Sequence, residues 1–153
     1  MEIFRLCHAG YADLSGVGGL YGAGRWHERG ALACYLASTR SLAVLERMVH
    51  ESLSDMPNLV MLTIWIPDDV SIERYSIDQL PKGWDTIPDA GISRPLGQEF
   101  FTRGESLLMQ IPSAIVAEEY NFVLNPCHQD VAKIKVVESR DYFYDSRLEK
   151  MIR

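Results

Sequence analysis

The chain has 153 residues, 47% of them hydrophobic and 24% charged, which suits one soluble globular domain and excludes a disordered or fibrous protein. Fifteen basic residues against twenty-one acidic ones leave a net charge of −6; a broad nucleic-acid footprint is therefore excluded, and a single local anion pocket is not. Cys7, Cys34 and Cys127 are odd in number and widely spaced, which argues against a disulfide framework and for a reducing compartment. The first residues lack the pattern of a secretion signal. The longest apolar run, 59–66, is broken by Thr63 and too short to cross a bilayer. The expected location is the cytoplasm, with no membrane partner.

Residues 2–7 predict a short first strand, with Ile3 and Arg5 on one face and Phe4 and Leu6 on the other. A glycine-rich stretch follows, Gly16-Val-Gly-Gly-Leu-Tyr-Gly-Ala-Gly-Arg-Trp26, able to fold tightly around a ligand. Arg25 at its exit carries the planar fork of donors that grips phosphate or carboxylate. Residues 31–37 read as a strand, after which Ser38 or Thr39 starts a helix. Alternation sets Tyr35 between Ala33 and Ala37, leaving room for a flat ligand on its ring or for the ring to fill the gap itself.

The strongest helical periodicity runs over 41–53, with Leu42, Leu45, Val49 and Leu53 as the apolar stripe and Glu46 inside it. A carboxylate there is desolvated unless it is paired or opens onto a cavity, so a structural salt bridge and a catalytic acid are both open readings. Residues 59–66 predict a central strand buried on both faces. Prolines and glycines recur between 67 and 104, predicting loops and short turns with one helix near 91–103. Strands are expected at 107–111, 114–117, 121–125 and 133–137, and a short helix at 145–153. The sum is an α+β domain.

Most catalytic signatures are missing. Neither Gly16-x-Gly18 nor Gly22-x-Gly24 is completed into a dinucleotide fingerprint, because Tyr21 and His27 stand where the third glycine belongs. His27-Glu28 and His50-Glu51 lack the second histidine of a zinc-protease helix, and no nucleophile elbow surrounds Ser113. Cys7-His8 and Cys127-His128 supply four nominal zinc ligands, but adjacent strand residues point to opposite faces, so no metal site is expected.

The order of the remaining motifs resembles the RES-domain family, the toxins of bacterial toxin–antitoxin pairs. The resemblance rests on Gly22-Ala-Gly-Arg-Trp26, Gly30-Ala-Leu-Ala-Cys-Tyr-Leu-Ala37, Leu42-Ala-Val-Leu-Glu46, Pro112-Ser-Ala-Ile-Val116, Asn121-Phe-Val-Leu-Asn-Pro-Cys-His128 and the ending Phe143-Tyr-Asp-Ser-Arg-Leu148. It covers nearly the whole chain. Two positions depart from it: His27 stands where the family usually has Asn, and Phe100-Phe101 occupies a segment where a tryptophan is expected.

The resemblance implies one ADP-ribosyltransferase-like α+β domain over 1–153, with central β-sheets flanked by helices, and NAD as substrate rather than cofactor. The family's arginine, tyrosine, glutamate and serine fall on Arg25, Tyr35, Glu46 and Ser113, the implied catalytic set. Arg25, Trp26, Tyr35, Ser113 and Asn125 form the implied NAD-binding lining. The implied partner is a helix-turn-helix (Xre-type) antitoxin, with room for a homo-oligomer or a larger toxin–antitoxin assembly.

Breaking the nicotinamide–ribose bond develops positive charge on the ribose, which Glu46 would stabilise. Arg25 would hold the phosphates, Tyr35 would offer its ring to the nicotinamide, and Ser113 would bind ribose or orient Glu46. Three functions compete: NAD degradation with water or phosphate as acceptor, ADP-ribose transfer to a protein, and a non-catalytic module in which Arg25 and Glu46 form an ion pair.

Overall fold

Alternation and β-branched content generate seven strands, which the computed structural model joins into one sheet; it describes residues 1–52 and 56–152. The strands are β1 (Glu2–His8), β2 (Cys34–Ala37), β3 (Leu59–Trp65), β4 (Ile72–Arg74), β5 (Leu108–Pro112), β6 (Tyr120–Leu124) and β7 (Lys135–Tyr142). Their order is β4-β5-β6-β2-β1-β3-β7, antiparallel throughout except for the β4–β5 pair. Among the described residues three α-helices complete the fold: α1 (Arg40–Met48), α2 (Arg94–Arg103) and α3 (Ser146–Glu149). Among the described residues no helix is long and apolar enough to cross a membrane.

Both faces of the sheet are covered. On one lies a core of Ile3, Cys34, Leu36, Leu62, Ile64, Leu108, Phe122 and their neighbours. The opposite face carries two cores side by side. Phe4, Leu6, Ala37, Leu42 and Met61 pack beneath α1, and Trp26, Trp84, Phe100, Met109, Ile111 and Val123 pack beneath α2. Residues two apart on a strand share a face, so Tyr35 and Ala37 of β2 bridge the two cores. Asn121 and Val123 of β6 stand beside them, through the pairs Tyr35–Val123 and Ala37–Asn121.

The expected strand at 2–7, the doubly buried strand at 59–66 and the helix near 91–103 all appear, within a residue or three of their expected ends. Several expectations need correction. The strand expected at 133–137 starts only at Lys135 and runs on to Tyr142, and a strand, Ile72–Arg74, stands where loops and short turns were expected. The segment 114–117 is a turn, because the Ser113 hydroxyl accepts the N–H groups of Ile115 and Val116 at 3.0 and 3.1 Å and bends the chain out of the ladder. The second strand starts only at Cys34, since Ala33 N–H bonds back to the Gly16 carbonyl. The first helix is capped by Thr39 and ends at Met48. Its core face is Leu42 and Ala43, while Leu45 and Val49 are exposed; Leu53, the last of the expected stripe, lies outside the described residues. The actual stripe is rotated toward β1 and β2, and Glu46, one turn beyond Leu42 and Ala43, still stands on its edge.

Candidate active site

The glycine-rich stretch closes on itself before it meets anything else. Gly24 N–H donates to the His27 carbonyl at 3.0 Å, making Gly24–His27 a tight turn with Arg25 and Trp26 at its tip. A methyl group at 24 would lie 2.6 Å from the Tyr35 hydroxyl and 2.7 Å from the His27 ring, so glycine is required there by the protein's own side chains. At Gly18 and Gly22 there is open space. The expectation that the glycines admit a ligand therefore needs amending, because at 24 the contact they permit is internal.

Helix α2 holds this turn from above. Gly97 sits so close to Trp26 that a methyl group would meet the Trp26 carbonyl at 1.8 Å. Ser93 Oγ donates to the Arg25 carbonyl at 2.5 Å and Arg94 Nε to the Gly24 carbonyl at 2.9 Å. Trp26 is buried against Trp84, ring centroids 6.0 Å apart.

Arg25 reaches from the turn to the loop after residue 83. Its guanidinium donates to the carbonyls of Trp84, at 2.5 Å, and Thr86, at 3.3 Å, and lies 3.7 Å from Asp89, which Arg94 also pairs at 3.0 Å. The Arg25 side chain keeps 21% exposure. Tyr35 meets the same turn from β2: its oxygen accepts the Trp26 N–H at 3.1 Å and its hydroxyl lies 2.7 Å from His27 Nδ1. Burial of the hydroxyl pushes the phenol well above its ordinary pKa, so it stays protonated. The residue as a whole is only half-buried.

A second cluster forms between α1, the residue after β5 and the start of β6. The Ser113 hydroxyl donates to Glu46 Oε1 at 2.7 Å and Asn121 Nδ2 donates to the same oxygen at 2.5 Å. Ser113 is buried, while Glu46 and Asn121 are half-buried. No cation pairs with Glu46 among the described residues. The ion pair expected between Arg25 and Glu46 under the non-catalytic reading is absent there: Arg25 takes Asp89, and Glu46 takes two neutral donors.

The structure thus joins Arg25, Trp26 and Tyr35 in one cluster, and Glu46 and Ser113 in another. Tyr35 and Asn121 connect them. Because Tyr35 pairs with Val123, Asn121 is its diagonal neighbour on the same face, a separation of about 7–8 Å between backbone positions. Asn125 is elsewhere: past the end of β6 its side chain accepts the Cys127 N–H at 3.0 Å, closing the turn that follows. Hollows of about 300 and 310 Å³ lie at the C-terminal end of α1, lined by residues including Met48, Glu51 and His50, and no member of either cluster lines them.

Asn121 is the residue that sequence reasoning passed over in favour of Asn125. Its signal was available, since it is the single amide in a strand whose next three residues, Phe122, Val123 and Leu124, are all apolar and buried. A polar group in that phase must find a partner.

An α+β domain built on one seven-stranded sheet carries a carboxylate clamped by neutral donors in one cluster and an arginine-bearing glycine turn in the other. Residues 2–145 match the family model described as RES domain. The chain is 39% identical over 139 residues to the Prs ADP-ribosylating toxin of Sphingobium sp., covering 89% of this chain and 86% of that protein. It is 37% identical to the Toxin Res of Photorhabdus laumondii, covering 98% of each. Its fold is that of a chain in the MbcT–MbcA toxin–antitoxin complex of M. tuberculosis, with a TM-score of 0.78 at 17% identity over 99% of this chain and 88% of that one. The chain belongs to the RES family and is a toxin of that family.

Proposed function

We propose that this toxin breaks the nicotinamide–ribose bond of NAD, with Glu46 as the charge-stabilising carboxylate. The observation that carries the reading is the pairing of Glu46 with two neutral donors. Ser113 and Asn121 fix one oxygen without cancelling its negative charge, so the carboxylate keeps its field for a cation that forms beside it.

As the bond from ribose C1′ to the pyridinium nitrogen breaks, its electron pair leaves with nicotinamide, which becomes neutral. Positive charge develops on the ribose, and Glu46 stabilises it. An acceptor oxygen then bonds to C1′ and gives up its proton. Tyr35, its hydroxyl tied to the turn, offers the face of its ring to the nicotinamide. Arg25 borders the phosphate side, where it trades its carbonyl contacts with the 84–86 loop for substrate phosphate, while Trp26, buried against Trp84, anchors the turn that carries it. Ser113 acts by holding Glu46. Asn125 contributes to the turn following β6.

Water or phosphate as acceptor makes the chain an NAD-degrading enzyme working in the cytoplasm. Transfer to a host protein is the second reading, favoured by the name of the Sphingobium relative, an ADP-ribosylating toxin. The proposed partner is a helix-turn-helix antitoxin of Xre type, for which the toxin–antitoxin complex sharing this fold is the support. Purified protein incubated with NAD labelled in the adenosine half separates the readings. Free labelled ADP-ribose or its phosphate ester supports degradation; label on one discrete protein after addition of lysate supports transfer. NAD left intact in both conditions sinks both.

A further inference from the structure

His27 is buried, at 4% exposure, and both ring nitrogens are engaged. Nε2 lies 2.9 Å from the Gly22 carbonyl and Nδ1 2.7 Å from the Tyr35 hydroxyl. A carbonyl only accepts, so the hydrogen sits on Nε2; neutral imidazole has one N–H, so Nδ1 is the acceptor and Tyr35 donates to it. The phenol oxygen keeps a lone pair for the Trp26 N–H. The bonds therefore run in one direction, from Trp26 N–H to the Tyr35 oxygen and from the Tyr35 hydroxyl to Nδ1, while Nε2–H closes on Gly22. One ring thereby ties the two ends of the 22–27 turn to each other and to β2. Arg25 sits inside that loop, and Gly24 supplies the space the ring and phenol occupy.

We infer that His27 is a positioning residue, which in its neutral form splints the Gly22–His27 turn to Tyr35 so that Arg25 and the Tyr35 ring face substrate together, and whose protonation releases the splint. The inference rests on the proposed NAD reading for its kinetic readout, and on geometry alone for the splint.

Protonation puts a hydrogen on Nδ1. The Tyr35 hydroxyl hydrogen then loses its acceptor in a buried site, and the phenol oxygen faces two donors at once. The charged groups around the ring come from three segments. Arg94 at the start of α2 opposes protonation, Glu28 beside the turn favours it, and Asp89 and Arg25 flank Tyr35. Burial is the largest influence, and it lowers the imidazole pKa from its ordinary 6.5.

The test follows kcat/KM for NAD loss between about pH 5 and 9, with nitrogen NMR of the His27 ring on the whole chain without substrate. His27→Asn places a carbonyl oxygen near the Nδ1 position, an acceptor for Tyr35 that does not titrate. The wild type is expected to lose activity about tenfold per pH unit below the imidazole pKa. His27→Asn is expected to abolish that acid limb and to recover at least about tenfold of what His27→Ala loses at pH 8. An acid limb unchanged in His27→Asn, or a neutral ring carrying its hydrogen on Nδ1, overturns the inference. The spectrum needs no turnover, so an Nε2–H ring on a protein that leaves NAD intact sinks the NAD reading while upholding the splint.

Discussion

Ser113 and Glu46 are 67 residues apart in sequence, and the hydroxyl of one donates to the carboxylate of the other at 2.7 Å. The same hydroxyl accepts two N–H groups from the turn it begins. A single oxygen therefore shapes the β5–β6 connection and aims the acid.

Removing that oxygen should act on both. Ser113→Ala is expected to lower stability by about 1–3 kcal/mol, because two N–H groups lose their acceptor, and to reduce NAD consumption at least ~10-fold. Asn121→Ala touches only the acid among these contacts and should give a similar loss of rate with less than half the loss of stability. Urea unfolding beside an NAD assay compares them; equal stability losses would remove the distinction.

Glu46→Gln keeps the shape and an amide oxygen for Ser113 and Asn121 while removing the charge. NAD consumption is expected to fall at least ~100-fold with the melting temperature nearly unchanged. A variant within a few-fold of wild type would place the stabilising charge elsewhere.

Arg25 joins the glycine turn to the carbonyls of Trp84 and Thr86. Arg25→Ala should accelerate amide exchange in residues 84–89 and raise the KM for NAD. Arg25→Lys, which keeps the charge but lacks the planar fork whose two nitrogens reach the two carbonyls, should accelerate exchange with a smaller effect on KM. Unchanged exchange in both variants would show that the loop is held without Arg25.

Gly24→Ala and Gly22→Ala should differ although both lie in the same run. The first drives a methyl group into Tyr35 and His27 and is expected to cost about 1–3 kcal/mol; the second meets open space and should stay within about 0.5 kcal/mol. Thermal melts of the two variants settle the point.

Stability should fall at both pH extremes for separate reasons. Burial raises the Tyr35 and Tyr144 phenols above the ordinary 10, so the unfolded chain gives up these protons first and stability is lost as pH rises past about 10. His27, lowered from 6.5, contributes stability that is present above 6.5 and lost as pH falls toward its folded value. Guanidinium unfolding across the range measures both, and Tyr35→Phe and His27→Asn should each flatten one side.

Much of the fold was legible because the signals are local. Period-two alternation and uninterrupted apolar runs located β1, β3 and β5, and Pro95 with Gly104 bracket α2 as a helix start and stop should. The segment 114–117 misled because its apolar residues look like a strand, and only the Ser113 hydroxyl, bonding forward, turns them. The stripe of α1 misled because periodicity fixes which residues share a face, and leaves open which face the sheet covers.

The sequence by itself supplied the inventory of the candidate site: an arginine after glycines, a tyrosine between alanines, an acid on an amphipathic helix and a serine after proline, in the order the resemblance to the RES family implies. Tertiary structure alone decided their partners. That Glu46 meets Ser113 and Asn121 rather than Arg25, and that Arg25 meets the Trp84 carbonyl, depends on residues 67, 75 and 59 apart in the chain becoming neighbours; His27 is only 8 residues from Tyr35, and which ring nitrogen meets the hydroxyl is set by how the turn folds back on β2. Hydrogen bonding is specific to a few tenths of an ångström, and spacing along the chain carries no information at that scale.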